Sequence, residues 1–218
     1  MLLQPTAAEI TNLLRDSGGL RDGHFEYSNG IHTNQHVDPA LAMRSYENAK
    51  ILTVALSRRI RAHADLRTIL SDVSIVAATQ NGLQVAYGLS YVLSPRRVFW
   101  AEKPGADVPM AFRKYTEPDR GEKIILVDDI LRSGLLLAEA KALIEQYGAE
   151  VLAMAVIASQ PNPKTIRFGS LPIYSLVELE PRVYVDRDSC ELCRAGVPAT
   201  PIGHAWKSDE ITAAGAAV

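Results

Sequence analysis

Two adjacent carboxylates, Asp128 and Asp129, follow four apolar residues, Ile124 to Val127, and precede the segment Ile130-Leu131-Arg132-Ser133-Gly134. A continuous apolar run of this length suits a buried parallel strand, and open α/β sheets bind ligands outside the carboxyl ends of their strands. The residues after Gly134 have helical periodicity, so the pair would sit beside a helix N-terminus. The N–H groups and positive dipole end of such a helix suit a phosphate, while carboxylates accept hydrogen bonds from the two hydroxyls of a ribose. One segment can thus hold both ends of a ribose 5-phosphate.

The surrounding elements are those needed to position such a segment. Apolar runs at Val73 to Ala78, Val98 to Ala101, Ile124 to Val127, Val151 to Ala158 and Ile173 to Val177 read as strands of a buried parallel sheet. Gly82 to Leu93 and Gly134 to Tyr147 alternate with them at helical length, and Gly148 is placed to end the second of these helices. Strand and helix in alternation imply a doubly wound α/β sheet. Upstream, Thr6-Ala7-Ala8-Glu9 reads as a capping box opening a helix that carries Ile10, Leu13 and Leu14 and stops at Gly18-Gly19. Another helix is expected from about Ser45, with Leu52, Ala55, Leu56 and Ile60 on one face. Between these two, Gly23 to Pro39 reads as a turn-rich stretch. Glu102 to Gly121 has no period and reads as a long loop; loops of that length in a compact domain are usually functional or mobile, so an active-site lid is expected.

The chain has 218 residues, enough for one main α/β domain with an added subdomain. Apolar residues make up 47% and charged residues 22%, a globular balance that excludes a disordered chain. A formal net charge of −2 provides no overall field for nucleic acid or anionic membrane, so any bound anion must be held locally. The opening Met-Leu-Leu-Gln-Pro-Thr lacks the basic and apolar regions of a secretory leader, and no run approaches a membrane span. A cytoplasmic protein without a nucleic-acid or membrane partner is expected, with a frayed tail over Ala213 to Val218.

Val127-Asp128-Asp129-Ile130-Leu131-Arg132-Ser133-Gly134 resembles the phosphoribosyl pyrophosphate (PRPP) motif of the type I phosphoribosyltransferases. That motif runs from a hydrophobic strand through two acidic and two apolar residues into a short Thr/Ser/Gly loop. The resemblance extends over most of the chain and is closest to the orotate phosphoribosyltransferases. It implies an α/β fold of the type I phosphoribosyltransferase kind, a doubly wound parallel sheet with a small hood subdomain. The single domain would span residues 1–218, with a core over about 45–178 and a hood from about 18–40, to which 180–205 is a candidate addition.

The resemblance also assigns roles. Asp128 and Asp129 would orient the ribose, and Ile130, Leu131, Arg132, Ser133 and Gly134 would form the PRPP phosphate loop. Ala77 to Gly82 sits where the family has its pyrophosphate loop, which gives that role to Thr79, Gln80, Asn81 and Gly82. Gly23-His24-Phe25-Glu26-Tyr27-Ser28-Asn29-Gly30 is similar to the family's N-terminal hood segment and points to Phe25, Tyr27, Ser28 and Asn29 as base contacts. Phe99 to Lys103 sits at the entrance to the catalytic loop, making Lys103 a catalytic candidate and Arg113 and Lys114 lid candidates.

Three departures from the family pattern bear on function. Arg132 stands where a hydroxyl is usual, and could pair with the phosphate through its guanidinium. Ser159-Gln160 stands where the orotate enzymes have an Asp-Arg pair, so Gln160, a candidate base contact, offers a neutral donor to a base that carries a carboxylate. The loop carries Lys103, Arg113 and Lys114 but no histidine.

Cys190 and Cys193, the only cysteines, form a C-x-x-C pair that is no extracellular disulfide framework. They supply two of the four ligands of a structural zinc, with His204 a speculative third, and two reduced structural thiols are expected. His24, His32 and His36 share no spacing that gathers them on one face, and polar contacts within the hood are expected of them.

The implied activity is transfer of the phosphoribosyl group from PRPP to a pyrimidine base, orotate in the first instance, with pyrophosphate released. Mg2+ would be carried by PRPP, with no metal bound directly by protein side chains. The partners would be PRPP and a nucleobase, and the assembly a homodimer. Two alternatives stay open: a PRPP- or nucleotide-binding regulator with the same fold and lost turnover, and a transferase for a different base. For the acidic pair itself the rivals are a solvated strand end and a receiver domain, whose pair lies near the domain start; here three strands precede it.

Overall fold

A computed structural model describes residues 5–105 and 107–202. The Ala213 to Val218 tail and His204 lie outside the described residues. In chain order the elements are α1 (Ala7–Asp16), β1 (Leu20–Tyr27), β2 (His32–Val37), α2 (Pro39–Met43), α3 (Tyr46–Arg61), α4 (Ala64–Arg67), β3 (Val73–Ala77) and α5 (Gln80–Leu93). They continue as β4 (Val98–Trp100), β5 (Lys123–Leu131), α6 (Leu135–Gln146), β6 (Glu150–Ser159), β7 (Ile173–Glu178), β8 (Val183–Tyr184), α7 (Glu191–Arg194) and β9 (Thr200–Ile202). The chain divides into two compact units, one of residues up to Leu20 with Val37–Glu180, the other of Arg21–His36 with the chain from Pro181 onward.

The first unit is built on a five-stranded sheet in the order β4-β3-β5-β6-β7, every neighbouring pair parallel. Both faces are covered, which is why its strands read as unbroken apolar runs. Ile125 and Val127 point to the side packed by Leu52, Leu56, Val85 and Leu89 of α3 and α5. Ile124 and Leu126 point the other way, toward Leu137, Ala140 and Ile144 of α6. The capping box of α1 forms as its residues dictate: the Thr6 N–H donates to Glu9 Oε2 (2.8 Å) and the Glu9 N–H to Thr6 Oγ1 (3.2 Å).

Two expectations change here. Gly23 to Pro39 is not simply turns: it holds most of β1, all of β2 and a tight turn between them, in which the Gly30 N–H donates to the Tyr27 carbonyl (2.9 Å) at a Gly30 φ of 79°. The strands were hidden because their buried positions include His24, His32 and Thr33 and do not form an alternating apolar set. They form the middle of a second sheet in the order β8-β2-β1-β9.

The segment Glu102 to Gly121, expected as a lid, is tied down along its first half. Glu102 and Ala111 exchange backbone hydrogen bonds (2.8 and 2.9 Å), and Met110 and Phe112 are buried with Phe99 and Ala101 in the core under α6. Among the described residues, no helix is long and apolar enough to cross a membrane.

Candidate functional site

β5 does not end at Val127. It runs on through Asp128, Asp129 and Ile130 to Leu131, paired throughout with β6. Both carboxylates are consequently buried, each 4% exposed, rather than standing free at a strand end. Ile130 packs against the core and Leu131 is buried within it, so neither apolar side chain is available to a ligand. The loop proper shrinks to Arg132, Ser133 and Gly134.

The N-terminus of α5 sits against the acidic pair. Thr79 is its N-cap: its hydroxyl oxygen accepts from the Gly82 N–H (3.1 Å) and its O–H donates to Asp128 Oδ1 (2.5 Å). Asp128 Oδ1 also accepts from the Asp129 N–H (3.0 Å), and the Asn81 amide reaches Asp129 Oδ2 (3.4 Å). Gly82 allows this approach, because a Cβ there would lie 2.9 Å from Asp128 Oδ1 and 3.0 Å from the Val127 carbonyl oxygen. Gln80, by contrast, is exposed at the first turn of the helix.

Burial, and next the neighbouring Asp129 carboxylate, push the Asp128 pKa well above the usual carboxylate range against the opposing hydrogen bond from Thr79. Asp129 is raised as well, first by burial and then by the Asp38 carboxylate, while Arg132 works in the other direction. Asp38 is a site residue that the sequence reading missed. It precedes Pro39 at the start of α2 without capping that helix, and its buried Oδ1 has no hydrogen-bond partner.

Arg132 is held at both ends of its guanidinium. Its Nε donates to Gln160 Oε1 (3.1 Å) and its Nη2 to the Val37 carbonyl (2.8 Å). Gln160 is therefore fixed with its oxygen toward Arg132, which leaves its buried Nε2 as a donor without a partner. The backbone of the loop is braced from the other side: Thr165 Oγ1 donates to the Arg132 carbonyl and the Ile166 N–H to the Ser133 carbonyl (2.9 Å). Gly134 is the N-cap of α6 at φ 77°, and a Cβ there would also meet Phe168 at 3.2 Å. Ser133 Oγ accepts from the Leu135 N–H (3.3 Å). The 162–168 segment carried no sequence signal for this bracing.

Lys103, Arg113 and Lys114 of the 102–121 segment are engaged within the segment and with α6. Lys103 pairs with Glu139 (2.7 Å) and donates to the Val108 carbonyl, Arg113 pairs with Glu102 (2.6 Å), and Lys114 stands over the Tyr115 ring. Glu139 is held below the usual carboxylate range by Lys103 and the Met110 N–H.

The residues expected to contact the base from the hood belong to the second unit. Phe25 is buried beside His36, and the Tyr27 hydroxyl lies 3.3 Å from His36 Nδ1. Ser28 and Asn29 are exposed in the turn between β1 and β2, where Asn29 Oδ1 accepts from the Ile31 N–H. His36 thus has aromatic neighbours, whereas His24 and His32 come together with Cys190 and Cys193.

A parallel sheet covered on both faces, with a buried acidic pair near a strand end between two helix N-termini, is the architecture of the type I phosphoribosyltransferases. Residues 48–166 match the family described as the phosphoribosyl transferase domain, and the chain belongs to that family of transferases. The orotate phosphoribosyltransferase of Thermotoga petrophila is 29% identical over 194 residues, 89% of this chain and 97% of that one. Among solved structures, orotate phosphoribosyltransferase from Aeropyrum pernix aligns with a TM-score of 0.63 at 18% identity, covering 78% of this chain and 93% of that one. Adenine phosphoribosyltransferase from Leishmania donovani aligns at 0.56 with 17% identity, covering 94% and 92%.

Proposed function

We propose that the protein transfers the 5-phosphoribosyl group from PRPP to a pyrimidine base, orotate, releasing pyrophosphate. The observation that carries this reading is the buried pair Asp128–Asp129, clamped by Thr79 and Asn81 at the N-terminus of α5 and followed within five residues by the N-terminus of α6. The two helix N-termini suit two phosphate groups, and the acidic pair between them suits the sugar hydroxyls. The full-length likeness to orotate enzymes supports the choice of base.

The chemistry asks the protein for little beyond position and charge. A ring nitrogen of the base forms the new bond to the anomeric carbon as the bond to the pyrophosphate oxygen breaks, and the base loses its N–H proton. Asp128 and Asp129 hold the ribose hydroxyls while the positive charge that builds on the sugar ring is stabilised by these carboxylates. Ser133, Gly134 and the first turn of α6 hold the 5-phosphate, and Thr79 to Gly82 present backbone donors to the pyrophosphate.

A magnesium ion carried by the donor substrate would neutralise the leaving pyrophosphate, and the hard carboxylate oxygens of Asp128 and Asp129 suit a site that receives it. Lys103 adds charge to the pyrophosphate only by leaving Glu139, so its catalytic role requires the 102–113 segment to shift. Phe25, Tyr27, Ser28 and Asn29 are assigned to the base on the resemblance alone.

A second reading, a transferase for another base, is favoured by Gln160, whose free amide is neutral and whose oxygen is committed to Arg132. Pyrophosphate release measured with PRPP, Mg2+ and a panel of orotate, uracil, adenine and guanine decides between them. Turnover with orotate above the others is expected. Turnover confined to a purine would establish the second reading, and binding of PRPP without turnover on any base would establish a regulator.

A further inference from the structure

Among its described residues, the second unit has almost no apolar interior. Neither hydrophobic cluster includes a residue of Arg21–His36 or of the described chain after Pro181, and of these residues only Phe25 and Cys190 are buried apolar side chains. In place of a core stand two buried imidazoles, His24 and His32, 4% and 2% exposed. Cys190, fully buried, and Cys193, partly so, complete a group whose four ligand atoms all lie within 4.8 Å of one another. Units this small usually need a covalent or metal staple to hold together.

We propose that His24, His32, Cys190 and Cys193 form a structural zinc site that ties the β1–β2 hairpin to the C-x-x-C turn. The distances support a tetrahedral ion. His24 Nε2 lies 3.4 Å from Cys190 Sγ and 3.7 Å from Cys193 Sγ, and His32 Nδ1 lies 3.5 Å from Cys193 Sγ. A zinc ion with ordinary Zn–N and Zn–S bonds at tetrahedral angles separates nitrogen from sulfur by about 3.6 Å. The two imidazole nitrogens, 2.8 Å apart, need only open to about 3.3 Å.

The outer hydrogen bond of His24 turns its ring the right way. His24 Nδ1 lies 2.7 Å from the Val197 carbonyl oxygen, which can only accept, so the proton sits on Nδ1 and the lone pair of Nε2 faces the group. Behind the second imidazole, Glu26 Oε1 stands 3.8 Å from His32 Nε2, beyond hydrogen-bond distance. The His24 Nε2 lone pair faces His32 Nδ1 at 2.8 Å, a hydrogen bond that an ion between the rings would replace with two coordinate bonds. The cysteine turn is equally shaped for the purpose: the Gly196 N–H donates to the Cys193 carbonyl (3.0 Å), and Gly196, at φ 71°, turns the chain so that Val197 reaches His24. Two thiolates with two imidazoles in a tetrahedral set select zinc among common divalent ions.

The test uses the full chain purified without chelator. Elemental analysis is expected to find one zinc per chain, and X-ray absorption to find two sulfur ligands at about 2.3 Å and two nitrogen ligands at about 2.0 to 2.1 Å. Cys193→Ser should lose the ion, and His36→Gln should keep it. If Cys193→Ser does not fold, release of zinc from the wild-type chain on titration with a mercurial thiol reagent makes the same measurement. Wild-type protein that holds no zinc after incubation with excess Zn2+, or that holds it with oxygen ligands only, overturns the proposal.

Discussion

Gly82→Ala probes the closest contact in the candidate site. The added Cβ would lie 2.9 Å from Asp128 Oδ1, 3.0 Å from the Val127 carbonyl oxygen and 3.1 Å from Asp128 Cα. Two of these three atoms are backbone of the central strand β5 and cannot swing away, so α5 must move back. Overpacking of this kind costs about 1 to 3 kcal/mol. Alanine is favoured over glycine by about 1 kcal/mol in a helix interior, and by less in the first turn, so the net loss is about 1 kcal/mol. For a chain of this size that corresponds to roughly 2 to 4 °C in Tm.

The functional loss should be larger than the stability loss. A retreating α5 carries Thr79 and Asn81 away from the acidic pair, and a misplacement of about 1 Å can cost a hundredfold in rate. Differential scanning fluorimetry gives the first quantity, and calorimetry with PRPP and Mg2+, followed by steady-state kinetics, gives the second. A variant with a lowered Tm but wild-type PRPP affinity and kcat/KM would refute the assignment of this helix end to the pyrophosphate. A variant unchanged in every respect would refute the packing itself.

Asp129→Asn should lower PRPP affinity roughly ten- to hundredfold, the worth of one charge-assisted hydrogen bond, while making the free protein more heat-stable at neutral pH. Asp129 has its pKa raised by folding, so the native state binds its proton more tightly; the associated stability is full below the unfolded value of about 3.9 and is lost as pH rises through the folded value. The Tm advantage of the variant should therefore disappear in acid, and a variant less stable than wild type at pH 7 would contradict the reasoning. Gln160→Met should destabilise the fold by about 1.5 to 3 kcal/mol in denaturant titration, because the partly buried Arg132 Nε loses its acceptor. If Gln160 also touches the base through its free amide, the KM for the base should rise more than the KM for PRPP; an equal rise in both would leave it with the Arg132 contact alone.

The composition of short segments determined a good part of this protein. Ile124 to Val127 suited a strand buried on both faces, Thr6 and Glu9 could close their capping box without help from the rest of the chain, and helical periodicity marked the stretch after Gly134, whereas the helix expected from Gly82 begins at Gln80 with Thr79 as its cap. The acidic pair was visible because its residue types are rare after an apolar run. Its burial was not, since β5 continues through it to Leu131 only because β6 offers partners as far as Ser159.

What tertiary structure decided is who meets whom. Nothing local sets Gln160 against Arg132, Lys103 against Glu139, or Asp38 beside Asp129, because these partners lie far apart in the chain and meet only once the strands, helices and loops that carry them are packed together. The same holds most strongly for His24 and Cys190, 166 residues apart, which share one buried group. Their spacing within each segment shows no four-ligand pattern; the two halves become one set only when β1, β2 and the turn that carries the cysteines fold into a single unit, where the proposed zinc would do the work that apolar side chains do elsewhere in the chain.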